Sequence, residues 1–214
     1  MNNTVKNIIK NTFLYKLILS VVSRFKDRKV IIDWKKAGRP IPPPSQYKQQ
    51  VIKEYARKFS VHTLVETGTY CGDMVYASKN SFKRIISIEL SMNLFEYAKE
   101  RFSSFPHISI LHGDSGEMLP GILAEINEPC LFWLDGHYSG DITAKGQLAT
   151  PIQNELQCIF KHFYDHVILI DDARCFGNLA DYPTINELRD LITQQGDKLM
   201  FEVQDDIIRI HRKR

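Results

Sequence analysis

Apolar positions change their spacing along this chain, and each change predicts a different kind of element. Residues 5–25 carry Ile8, Ile9, Phe13, Leu14, Leu17, Ile18, Val21 and Val22 at roughly helical intervals, which predicts an amphipathic helix. Lys6, Lys10 and Lys16 interrupt that stripe, and its longest uncharged run is seven residues, 17–23. A bilayer-spanning helix needs about 20. The run GRPIPPPS at 38–45 cannot continue a helix, because its prolines lack a backbone donor and push their predecessors toward extended geometry. Without charged anchors or a repeated PxxP pattern it reads as a stiff connector rather than a recognition tract. Helical spacing returns over 47–59, with Val51, Ile52, Tyr55 and Phe59 on one side.

From residue 62 onward, short β-rich runs alternate with longer helical ones. Strands are predicted at 62–66, 84–89, 107–113, 129–135 and 166–171, and helices at about 73–80, 92–104, 116–126, 150–163 and 183–195. Near-continuous apolar strands joined by helices imply a parallel sheet covered on both faces, with right-handed crossovers. The last two runs, 199–204 and 206–212, are too close together for a crossover helix and predict an antiparallel terminal pair. The expected fold is therefore α/β: a Rossmann-like, mostly parallel seven-stranded sheet. Ligands of such sheets gather at the carboxyl ends of the strands, where Glu66, Glu89, Asp114, Asp135 and Asp171 fall.

Composition adds the boundaries. With 214 residues, 43% of them hydrophobic, the chain has room for one core, which we place at 47–214 after a basic extension, 1–46. The net charge of +3 conceals 14 basic and 3 acidic side chains in residues 1–60, against 14 and 22 in the remainder. The N-terminal helix then has two readings: packing over the domain or across a homodimer, or peripheral contact with a membrane surface. Nucleic acid fits poorly, since there is no aromatic–basic stripe and the strand-end loops are acidic. Cys71, Cys130, Cys158 and Cys175 form no CxxC pair, so neither a zinc site nor a disulfide framework is expected. No small-residue cleavage motif follows the first helix, and the simplest localisation is cytoplasmic, with membrane association as the variant.

The first strand runs into VETGTYCGD at 65–73. Gly68 and Gly72 let the chain turn tightly and bring the backbone donors of Thr69 and Tyr70 close to a ligand. Tyr70 occupies the place of the second glycine of a dinucleotide fingerprint, and Glu66 would repel a pyrophosphate but suits a ligand bearing ammonium and sulfonium groups. Glu89 lies 21 residues after Gly68, in SIEL, where an acid can accept both hydroxyls of a ribose; otherwise it is a surface carboxylate. In HGDS, Asp114 can receive an adenine amino group with Ser115 beside the ring, or it can cap the following helix.

In that order, VETGTYCG, SIEL and HGDS, followed by WLDGHYSG and LIDDA, resemble the class I S-adenosylmethionine-dependent methyltransferases over about residues 47–214. The resemblance implies strand order 3-2-1-4-5-7-6, a cofactor loop containing Glu66, Gly68 and Gly72, a ribose-binding Glu89 and an adenine-side Asp114. It extends to the metal-dependent O-methyltransferase branch, in which Asp135, Asp171 and Asp172 match by location the residues holding Mg²⁺ or another divalent cation. Asp172 stands where an amide is common. The alternative for these residues is capping and loop structure. His137 is a candidate general base, and Asp135 is its catalytic neighbour. The expected reaction is methyl transfer to an oxygen of a small molecule or glycan. Another nucleotide-dependent Rossmann-like enzyme and a noncatalytic interaction protein are the competing readings.

Overall fold

The computed structural model describes residues 13–136, 150–179 and 181–213. The chain divides into two compact units between Lys48 and Gln49.

In the first unit, helix α1, Phe13–Lys36, extends well past the end expected at residue 25. The stretch after Arg24 mixes many charges with its apolar residues, which hides the stripe but does not break a helix. Termination comes where glycine permits it: Gly38 takes φ +85°, followed by Arg39 at φ +57°. Trp34 Nε1 donates to Pro40 O at 2.8 Å, and the Trp34 ring packs on Tyr47 at a centroid distance of 4.5 Å. Among the described residues no helix is long and apolar enough to cross a membrane.

Helix α2, Ser45–Phe59, leads into the sheet unit. There β1 (Thr63–Thr67), β2 (Arg84–Glu89), β3 (Ile108–His112), β4 (Cys130–Leu134) and β5 (Val167–Ile170) are parallel. They are joined through α3 (Asp73–Ser78), α4 (Met92–Phe102), α5 (Ser115–Ala124) and α6 (Ile152–Lys161). A short 3₁₀ turn, Ala173–Cys175, and α7, Ile185–Thr193, precede β6 (Leu199–Gln204) and β7 (Ile207–Arg212). The spatial order is β3-β2-β1-β4-β5-β7-β6, with β7 antiparallel to both its neighbours. Asp205 and Asp206, at φ +50° and +62°, make the tight turn between β6 and β7. Two positive φ values in succession give a hairpin turn whose twist matches that of the strands.

All five residues of β1 and of β4 are buried, as strands covered on both faces must be. Val65, Ile86, Phe132, Ile168 and Ile210 join Leu119, Leu156 and Leu188 of the helices in one apolar layer. The pleat sends Glu66, Ser87 and Trp133, which are register partners on β1, β2 and β4, to the opposite face. All four cysteines are free thiols.

Candidate active site

The exit of β1 doubles back over the end of β2: Gly68 N and Thr69 N both donate to Ile88 O, at 3.0 and 3.2 Å. Only glycine serves at position 68. Its φ is +86°, and a Cβ there would lie 2.5 Å from Asp135 O. Tyr70 adopts φ +49°, which aims its N–H at Glu89 Oε2, 2.7 Å away. Gly72 follows at φ +77° and precedes α3, and a Cβ there would strike the Phe102 ring at 2.6 Å.

Glu89 is thus gathered to the turn, and its other oxygen accepts from Ser91 N at 2.9 Å. Glu66 points inward. It is 1% exposed and accepts from Ser87 Oγ at 2.5 Å; Ser87 Oγ in turn lies 2.6 Å from Thr69 Oγ1. Burial raises the Glu66 pKa to about 8 against the Ser87 hydrogen bond, and the negative charges of Asp135 and Glu89 push it the same way. Glu66 and the Thr69 hydroxyl therefore brace the turn from beneath, while Glu89 and the Tyr70 backbone form its upper edge.

Asp114 caps α5, its Oδ1 accepting from Gly116 N at 2.8 Å, so the capping alternative holds for that oxygen. Ser115 Oγ donates to Glu155 Oε1 at 2.6 Å. Glu155, on α6 and 1% exposed, was missed by sequence reasoning. Its signal was a carboxylate inside the apolar stripe Ile152, Leu156, Ile159.

Asp135 N donates to Thr67 O and Asp171 N to Leu134 O, both at 3.0 Å, which places the two residues at neighbouring strand ends. Asp171 Oδ1 caps the backbone of Asp172 at 2.8 Å. Asp172 has φ +55° and its Oδ1 accepts from Arg174 Nη1 at 2.7 Å. The same nitrogen of Arg174 also pairs with Asp206 Oδ2, and Arg174 N donates to Asp206 Oδ1 at 2.8 Å. The extra charge of Asp172 is thereby met by a guanidinium. Among the described residues no group of three or more His, Cys, Asp or Glu side chains is arranged to hold a metal ion. Of the donor set expected for a divalent ion, Asp171 Oδ1 is engaged by the Asp172 backbone and Asp172 Oδ1 by Arg174. Beside them, burial raises the Tyr182 hydroxyl well above its ordinary pKa, chiefly by desolvation. His137 lies outside the described residues.

No family model matches the chain, and no curated protein matches it. Solved structures do. The O-methyltransferase TomG from Streptomyces achromogenes, involved in tomaymycin synthesis and solved with SAM, superposes at TM-score 0.58 with 14% identity, over 87% of this chain and 88% of its own. The O-methyltransferase from Bacillus cereus, in complex with SAH, gives 0.56 and 14% over 98% and 97%. The N-methyltransferase NodS from Bradyrhizobium japonicum gives 0.51 and 14% over 79% and 97%. This chain has the fold of those methyltransferases. At such identities the likeness concerns the sheet and its connections.

Proposed function

We propose that this chain binds S-adenosylmethionine over the ends of β1, β2 and β3 and transfers a methyl group to an oxygen of a small molecule or glycan. One observation carries the reading: the glycine turn after β1 closes onto Glu89, with Tyr70 N 2.7 Å from its carboxylate. An ionised carboxylate has about four acceptor positions on two oxygens. The two backbone donors leave Glu89 acceptor capacity suited to the paired hydroxyls of a ribose, and Asp114 Oδ2 suits an amino group.

S-adenosylmethionine, when bound, supplies a methyl group already activated by its sulfonium. The chain's share is binding, orientation and proton acceptance. Glu66 keeps the turn in shape from below. His137, next to Gly136 at the exit of β4, is the residue we assign to take the acceptor's proton, since an ordinary histidine titrates near pH 6.5. The choice of oxygen follows TomG and the Bacillus cereus enzyme, whereas NodS methylates nitrogen on the same fold. An acceptor screen must therefore include amines.

Titration calorimetry with S-adenosylhomocysteine tests the cofactor assignment. Glu89→Ala should weaken binding by about 100-fold, the loss of two hydrogen bonds to a charged acceptor. A folded wild-type protein that does not bind the ligand, or a folded variant that binds it equally well, would refute the assignment.

A further inference from the structure

Glu155 has no part in the reading above, yet three segments of the pocket meet around its carboxyl. Ser115 Oγ, at the start of α5, donates to Oε1 at 2.6 Å. From the exit of β4, a Cβ on Gly136 would fall 3.6 Å from the same oxygen and 3.1 Å from Thr67 Oγ1. Thr67, at the end of β1 and directly before Gly68, is fully buried, and among the described residues its hydroxyl has no partner at full hydrogen-bond geometry. It nonetheless lies near enough to help the carboxyl ionise.

Stability does not explain an acid here. The flanking positions Ile152, Leu156 and Ile159 are buried apolar residues, and a leucine would complete their stripe. Burying a carboxyl disfavours its charge, and here burial raises the pKa to about 7, against the Ser115 and Thr67 hydroxyls and with the help of the Asp114 charge. Asp114 faces Glu155 from the β3–α5 turn, while β1 and β4 present Thr67 and Gly136.

We propose that Glu155 is a positioning residue of the cofactor pocket, whose carboxyl holds Ser115, and with it the Asp114 turn, against the exits of β1 and β4. The link is short: Ser115 is fixed by Glu155, and the next residue, Gly116, donates to Asp114 Oδ1 at 2.8 Å. Losing the acceptor of Ser115 would free the turn that orients Asp114. The inference rests on the cofactor reading, and its test separates the two.

S-adenosylhomocysteine affinity by calorimetry and thermal unfolding are measured together at pH 7 on the wild type, Glu155→Leu and Glu155→Gln. The leucine variant should bind about ten-fold more weakly, equivalent to ~1.4 kcal/mol or one hydrogen bond, while its Tm stays level or rises. The glutamine variant, whose carbonyl can still accept from Ser115, should stay within about three-fold of wild type. A Glu155→Leu protein that binds like wild type overturns the inference and leaves the cofactor reading standing. Affinity and Tm falling together in that variant would mark a merely structural role and overturn it too. Should Glu155→Leu fail to fold, Glu155→Gln decides, since a folded protein that has lost more than about ten-fold in affinity contradicts the hydrogen-bond argument. A wild type that does not bind at all removes both readings.

Discussion

Replacing Glu66 with glutamine should make the protein progressively more stable, relative to wild type, as pH rises from 5 to 7. The carboxyl is 1% exposed and its pKa is raised from 4.5 to about 8, chiefly by burial. Between those values the unfolded chain has released a proton that the folded chain retains, so folding is opposed more strongly at each higher pH. The contribution is complete below pH 4.5 and is lost as pH climbs through about 8. One proton corresponds to ~1.4 kcal/mol per pH unit, and the interval from pH 5 to 7 therefore costs about 3 kcal/mol. Glutamine has no proton to lose, and its carbonyl oxygen can accept the Ser87 hydroxyl as the carboxyl does. Other groups titrate in this window: Glu155, raised to about 7, acts in the same direction, and His166, lowered to about 4 by burial, acts in the opposite one. Both are present in the variant, so the difference between the two proteins isolates Glu66. Urea unfolding followed by circular dichroism at pH 5, 6 and 7 would measure it, and parallel stability curves for wild type and Glu66→Gln would refute the argument.

Gly68→Ala should destabilise the protein by ~3 kcal/mol or more, since the added Cβ meets Asp135 O at 2.5 Å in a left-handed conformation. Thermal unfolding should show the loss, together with abolished S-adenosylhomocysteine binding; unchanged binding would mean that the turn is not part of the site. Arg174→Met should cost ~1–2 kcal/mol, because it leaves the 1%-exposed Asp206 carboxylate without its cation while Arg174 itself is 36% exposed and partly screened. Urea unfolding in low and high salt checks this, and the cost should shrink as salt is added to the wild type.

The sheet was legible because its strands are dense apolar runs of the right length, and the β6–β7 hairpin because only Asp205 separates the two predicted strands. The glycine turn was legible too: Gly68 and Gly72 stand where the chain needs positive φ. Helix α1 was read too short because Arg24, Lys26, Asp27, Arg28 and Lys29 obscure apolar spacing without carrying any signal to stop. Glu155 was overlooked although its spacing from Ile152 and Ile159 puts it on the apolar stripe, because its partner Ser115 lies 40 residues away and meets it only in the fold. The partner of Asp172 was out of reach: Arg174 is two residues away, but its second carboxylate, Asp206, arrives only when β7 pairs with β5.

The acids at the strand ends divide by pairing and by position along the strand, not by type. Glu66 and Glu89 are both glutamates near the ends of adjacent strands, yet Glu66 pairs in register with Ser87 and spends its hydrogen bond under the turn, whereas Glu89 stands two residues further along β2 and meets Tyr70 N. A shift of one residue in the β1–β2 register would exchange the faces and bring a different side chain to the Ser87 hydroxyl. Asp171 and Asp172 divide similarly: the first caps the backbone of the second, and the second turns through positive φ to Arg174. A linear pattern can name every acid at this rim. Which of them brace the loops is decided by the register of the sheet, by the Arg174 guanidinium, and by the Asp206 carboxylate that the terminal hairpin brings to it.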